Sequence, residues 1–346
     1  MLAQAVAGKS VSELCKFGDA VLLQQCGTVY KSKKIEKGIA FPTCLSVNNV
    51  ICHFSPLPAE SIELKAGDWV KVDMGVHIDG YISVVAHTFI VGEEGQAALT
   101  EPLTGPAADV LMAAHQAVEV CKRLIKPGNK NKQVTAALEK VIDSYGVKAV
   151  QGTLMHQMKR FIIDGSKMIA QKHDPLNKTA EAEFEANEVY AIDICFTTGL
   201  EKPVEAETRT TVFKRDVEKN YQLKMKASRN VLSEINKKCS TLPFSINILS
   251  DERQGRMGVV ECVKHGLLQA YPVLKGRDGD FIVHLKGTIL LLPSGQTVIT
   301  GMDLPLDQIK SDKSVDEDTA AILAEPLPVK KPKKKKKKAK AATTEE

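Results

Sequence analysis

The spacing of apolar and polar residues changes several times along this chain, and each change marks an element. Trp69–Gly75 and Tyr81–Val91 are apolar runs rich in β-branched residues, separated by Ile78-Asp79-Gly80. That pattern predicts two strands and a tight turn. Val110, Leu111, Ala114, Val118, Cys121 and Leu124 recur at helical spacing, predicting a helix over Ala107–Ile125 that stops at Lys126-Pro127-Gly128. Val134, Leu138, Val141 and Ile142 predict a second helix over Gln133–Tyr145, with Gly146 placed to end it. Val189–Phe196 and Phe281–Leu292 predict two further strands. The latter ends at Pro293-Ser294-Gly295 and pairs with Gln296–Thr300. Between these strands, a segment at about 221–275 carries helical stretches over Met225–Lys238 and Met257–Ala270. Strands alternating with helices place the chain in the α/β class. WVKVD (69–73) and VYAID (189–193) are alike: each is an apolar strand ending in an aspartate.

Composition adds three constraints. With 43% hydrophobic residues among 346 the chain can bury a sizeable core, and with only 5% aromatics that core is aliphatic. No apolar run reaches the ~18–20 residues of a membrane span, and the N-terminus lacks the pattern of a secretory leader. A soluble intracellular chain, with no membrane insertion, is expected. The eight cysteines are scattered with no CxxC pair, so buried thiols are expected in place of a zinc or redox site. The net charge of +5 is unevenly spread. Lys330, Lys331, Lys333, Lys334, Lys335, Lys336, Lys337, Lys338 and Lys340 form one run. Beyond position 329 the charged residues are these nine lysines and the two terminal glutamates, so residues 1–329 carry −2. A near-neutral body with a cationic end implies a polyanionic partner. Residues 306–346 are expected to form a disordered tail, leaving 1–305 as the folded domain.

Two stretches carry recognisable chemistry: FPTCLSVNNVICHFSPL (41–57) and VKVDMGVHIDGYISVVAHTFI (70–90). Both resemble methionine aminopeptidases, especially type 2, which have the pita-bread fold with two pseudo-twofold halves. The resemblance spans roughly residues 20–305, and the helical insertion at 221–275 fits the type 2 branch. It implies a five-ligand site for two divalent metals. Asp73 matches the first ligand, Val84 stands at the second, His156 at the third, Asp193 at the fourth and Lys286 at the fifth. His53 matches the substrate-side histidine. Two ligands are thus kept, one carboxylate is shortened and two are lost.

Chemistry alone leads to the same expectation. A two-metal hydrolase needs oxygen or imidazole donors that hold cations ~3.5–4 Å apart. Valine has no lone pair, and lysine brings only donors and a positive charge. Lys286 is expected to form an ion-pair cluster with Asp73 and Asp193, and no cofactor is expected. The alternative is a divergent aminopeptidase using one metal at Asp73, His156 and Asp193.

A narrower match joins GIAFPTCLSVNNVICHFSP, GVHIDGYISVVAHTF, GMDL and the lysine run. Together they resemble the proliferation-associated, ErbB-receptor-binding protein family. That resemblance implies a non-peptidase that binds RNA, including rRNA, and ribosomes. It also implies regulatory protein partners, including receptor cytoplasmic tails and transcription corepressors. Cytoplasmic and nuclear or nucleolar pools, and roles in growth control, ribosome biogenesis, translation and transcriptional repression, follow from it too. In that family a further helical segment lies upstream, and this chain begins partway into that region.

For RNA, the lysine run reads phosphates and not bases. Lys214–Lys238, with eight basic and three acidic residues, supplies Lys214, Arg215, Lys224, Lys226 and Arg229 as candidate contacts to structured RNA. An ordinary solvated helix face accounts for that segment equally well. Lys159 and Arg160 are candidates to extend the surface. A scaffold for protein partners, like the pita-bread domains of histone chaperones, is a further reading that overlaps with RNA binding.

Overall fold

The computed structural model describes residues 1–96, 101–175 and 178–328. In chain order the elements begin with α1 (Val11–Thr28), β1 (Lys37–Val47), β2 (Val50–Cys52), β3 (Trp69–Ile78), β4 (Tyr81–Gly92), β5 (Gly95–Gln96), α2 (Gly105–Leu124) and α3 (Asn131–Tyr145). Next come β6 (Lys148–Ala149), β7 (Leu154–Met158), β8 (Met168–Ala170), β9 (Val189–Thr197), β10 (Val204–Glu205) and β11 (Val212–Arg215). The last are α4 (Lys226–Lys238), β12 (Phe244–Ser245), α5 (Glu252–Lys264), β13 (Leu268–Tyr271), β14 (Leu274–Lys275), β15 (Ile282–Leu292), β16 (Gly295–Thr300) and α6 (Glu317–Ala324).

One large antiparallel sheet runs in the order β1-β3-β4-β15-β9-β7-β8. The hairpin β3–β4 and the pair β9–β15 meet where β4 lies beside β15, which sets the two aspartate-bearing strands symmetrically about the middle. Strand alternation then separates the two faces. Ile192, Ile194 and Leu285 pack with α2 and α3, whose buried faces include Val110, Ala114, Val134 and Leu138. α1 packs Val11, Leu14 and Cys15 on Leu45, Val70 and Val72. Asp193 and Lys286 therefore point to the opposite face. Gly146 ends α3 in the left-handed conformation (φ 62°), as its position in the sequence predicts.

The insertion packs α4 and α5 over the small sheet β12-β11-β13. Gly258 lets the two helices close up, since a Cβ there would fall 2.6 Å from Val231. The expected helix over Met257–Ala270 is placed differently. Asp251 caps the helix by accepting from Gln254 N, so it begins at Glu252, and Gly266 (φ 71°) turns the chain into strand β13. The apolar residues Leu267 and Leu268 continue the buried pattern but belong to that turn and strand.

The expected boundary at 305 also differs. Ile309 is buried and pairs with Leu103, and α6 rests on α2 and α3 with Thr319 fully buried. Lys313 reaches Tyr145 O and Asp109, while Arg123 donates to Glu325 O. Residues 306–328 thus belong to the folded body. The lysine run falls outside the described residues. All eight cysteines are free, seven of them buried. Among the described residues no helix is long and apolar enough to cross a membrane.

Candidate functional site

Strand register brings the aligned positions together. Asp73 pairs with Ala86, Ala86 with Lys286 and Lys286 with Asp193, so one rung crosses four strands. A cavity of about 410 Å³ opens above that rung, and His53, Asp73, Val84, His156, Asp193 and Lys286 all line it. Lys286 Nζ donates to Asp73 Oδ2 at 2.7 Å and lies 3.1 Å from Asp193 Oδ2. Its ammonium also sits 5.3 Å from the centre of the Phe41 ring. The ion-pair cluster expected from the sequence is therefore the one found.

The charges of this cluster stabilise one another. Burial alone would raise the Asp193 carboxyl, but Lys286 and then His284 outweigh it and hold it well below the usual carboxylate range. Burial alone would lower the Lys286 ammonium, but Asp193 and Asp73 push it well above its ordinary value. His284 Nε2 lies 2.7 Å from Asp193 Oδ1. A carboxylate can only accept, so that nitrogen carries the hydrogen. Two buried atoms lining the cavity, Asp73 Oδ1 and His156 Nδ1, have no hydrogen-bond partner among the described residues.

His53 has a left-handed backbone (φ 67°). Its Nδ1 lies 2.9 Å from Pro272 O, so Nδ1 carries the hydrogen and Nε2 is an acceptor. Burial pushes its pKa down to about 4, against the opposing effect of the Pro272 carbonyl. The ring is thus neutral near pH 7. Val84 is fixed through its backbone: its N donates to Thr288 Oγ1 at 2.9 Å, and its carbonyl accepts from Thr288 and Thr300. The Val84 side chain stays buried and offers no donor atom.

A divalent metal does not fit this donor set. The ammonium of Lys286 lies between the two carboxylates that remain, where it would repel a cation. Among the described residues no group of three or more His, Cys, Asp or Glu is arranged to hold a metal.

The candidate RNA contacts divide. Lys224, Lys226 and Arg229 are exposed at the start of α4, where Arg229 donates to Leu223 O and Lys224 O. Lys214 and Arg215 lie on β11. Lys214 is drawn into an ion pair with Asp164 at the rim of the cavity, its side chain 15% exposed, so it does not share the open face of α4. Sequence reasoning missed both Asp164 and His284. For His284 a signal existed: it lies two residues before Lys286 on one strand, and hence on the same face. The Lys214–Asp164 contact joins residues 50 apart and left no local signal.

This geometry defines a member of metallopeptidase family M24, to which the chain belongs: the family's pattern matches residues 1–213. Within it the chain groups with the ErbB-3-binding and proliferation-associated proteins. It is 46% identical over 334 residues to a Solanum tuberosum protein named ERBB-3 BINDING PROTEIN 1, covering 96% of this chain and 84% of that one. It is 40% identical over 332 residues to a Schizosaccharomyces pombe protein named Curved DNA-binding protein, covering 94% and 85%. Among solved structures, a thermophilic Arx1 superposes with a TM-score of 0.86 at 29% identity, covering 94% of this chain and 93% of that one. The fold is the pita-bread fold.

Proposed function

We propose that this chain is a non-peptidase of family M24 that binds structured RNA and ribosomes. Regulation of ribosome biogenesis, translation and transcription, and through them growth, follows from that reading, as do cytoplasmic and nuclear or nucleolar pools. The observation that carries the loss of peptidase chemistry is the Lys286 ammonium, which lies within 3.1 Å of both Asp73 and Asp193. A metal-activated hydroxide needs open coordination at this point, and the lysine fills it. Support for a nucleic-acid partner comes from the run of nine lysines in 330–340, the exposed bases at the start of α4 and the name of the fission-yeast relative.

Lysines contacting phosphates release counterions, so binding should fall steeply with salt. The body and the lysine run divide the work. A run of lysines presents charge, whereas Lys226 and Arg229 are held in fixed positions by α4, and Lys224 by its backbone N, which donates to Glu261. Crosslinking the chain to RNA in cells, with the bound RNA and contacting residues both mapped, tests the reading. The expected result is crosslinks to rRNA at the insertion and the lysine run. Recovery of no RNA above background would refute it.

A further inference from the structure

A second surface of the molecule has a composition that the insertion lacks. Three segments distant in sequence meet at the tip of the β3–β4 hairpin. The first, 29–37, follows α1 and carries Tyr30, Lys31, Lys33, Lys34 and Lys37. It is fixed to the hairpin because Lys37 pairs with Ile78, Asp79 N donates to Glu36 O and Lys37 Nζ donates to Val29 O. The second is the tip itself, with Tyr81. The third, 159–162, is held against the tip by Phe161 N, which donates to Gly80 O, and by Arg160, which pairs with Asp79 at 2.7 Å. Gly80 is needed there, since a Cβ would fall 2.3 Å from the Phe161 ring.

These segments place six basic residues beside two acids, Glu36 and Asp79. Two aromatic side chains stand among them and are unusually open: Tyr30 is 55% exposed and Tyr81 is 65% exposed. Cations already lie against both rings, with Lys33 5.8 Å from the centre of Tyr30 and Arg160 5.9 Å from that of Tyr81. Tyrosine is enriched where surfaces make contacts, because its ring is apolar and its hydroxyl tolerates water. Open rings interleaved with bases suit one kind of partner well. Unpaired nucleotides offer a stacking face and a phosphate at each step.

We propose that this surface binds unpaired RNA, with bases stacking on Tyr30 and Tyr81 and with Lys31, Lys33, Lys34 and Lys159 holding the phosphates. The proposal rests on the RNA-binding reading above and adds to it a site for single strands, distinct from the insertion. An acidic peptide would use the lysines but has no planar groups for the two rings.

The test uses the full chain and fluorescence anisotropy with labelled 12-nucleotide oligouridylate and oligoadenylate, alongside an RNA hairpin, across a salt series. The Tyr30→Ala/Tyr81→Ala variant should bind the oligonucleotides at least about thirtyfold more weakly, as expected for two lost base–aromatic stacks, with hairpin affinity and salt slope unchanged. Tyr30→Phe/Tyr81→Phe should restore binding, which a merely structural defect would not allow. Lys31→Gln/Lys33→Gln/Lys34→Gln should lower the salt slope on single strands by about 2. The proposal is overturned if the alanine pair binds single strands like the wild type, or loses hairpin and single strand equally. It is also overturned if a polyglutamate peptide competes with equal affinity. Should the wild type bind the hairpin but not the oligonucleotides, only this site fails. Should it bind neither RNA, the functional reading fails with it.

Discussion

Replacing Lys286 with methionine removes one charge and keeps an unbranched stem. Asp73 and Asp193 would then face each other with no ammonium between them. Their nearer oxygens are at most about 5.8 Å apart, since each lies within hydrogen-bonding reach of one nitrogen. At an effective dielectric of about 20 their repulsion is about 3 kcal/mol. That equals a rise of about 2 pH units in the pKa of one carboxyl. Adding the two lost charged contacts brings the expected cost to about 3–5 kcal/mol near pH 7.

The pH dependence distinguishes this cause from a simple packing defect. In the wild type the Asp193 carboxyl is held low, so its contribution is complete above about pH 4 and is lost as pH falls through its lowered folded value. The Lys286 ammonium is raised, so its contribution is complete below about pH 10 and is lost as pH rises through its raised folded value. In Lys286→Met one carboxyl pKa rises above its unfolded value instead. Its cost is then largest above about pH 6 and shrinks as pH falls towards 4. Thermal melts followed by circular dichroism from pH 5 to 8 measure this. The gap to the wild type should be widest at pH 8, and Asp73→Asn in the same chain should recover much of it. A variant that melts with the wild type, or whose deficit is the same at every pH, would refute the electrostatic argument.

Three further outcomes are expected. The purified chain should release no N-terminal methionine from a test peptide with cobalt, manganese or zinc present; metal-dependent release abolished by His156→Ala would contradict the non-peptidase reading. Val84→Asp together with Lys286→Glu should gain affinity for divalent cations by titration calorimetry, without activity necessarily returning, because Asp193 remains one methylene short. Burial lowers the pKa of the fully enclosed Lys71 to about 7, against the partial opposition of Cys195 and Cys52. The folded chain then disfavours its proton, so Lys71→Met should raise the melting temperature at pH 7 and raise it less towards pH 10; no gain at pH 7 would count against this.

Much of the fold is legible in local pattern. The β3–β4 hairpin follows from two apolar runs around Asp79-Gly80, and α3 from its apolar stripe and Gly146. The site is legible too, because strand register converts sequence alignment into a rung of neighbours. Legibility ends where apolar period alone has to decide. Leu267 and Leu268 extend the stripe of α5 yet lie in a turn and a strand, and only Asp251 and Gly266 mark the true ends. The ordering of 306–328 is equally hidden: its few apolar residues suffice because Ile309 and Thr319 find places already formed by α2, α3 and the Leu103 backbone. α1 rests on similar tertiary support, through Val11, Leu14 and Cys15.

The Lys286 rung also restricts which mutational routes are open to a descendant of this chain. A return to a metal centre needs two new carboxylates, and either one alone is harmful. Lys286→Glu first would set three acidic groups around one desolvated spot with only His284, bonded to Asp193, to offset them. Val84→Asp first would add an acid to a cavity whose single ammonium already serves two. Each single change is therefore expected to cost stability that only the pair, with a metal bound, would offset.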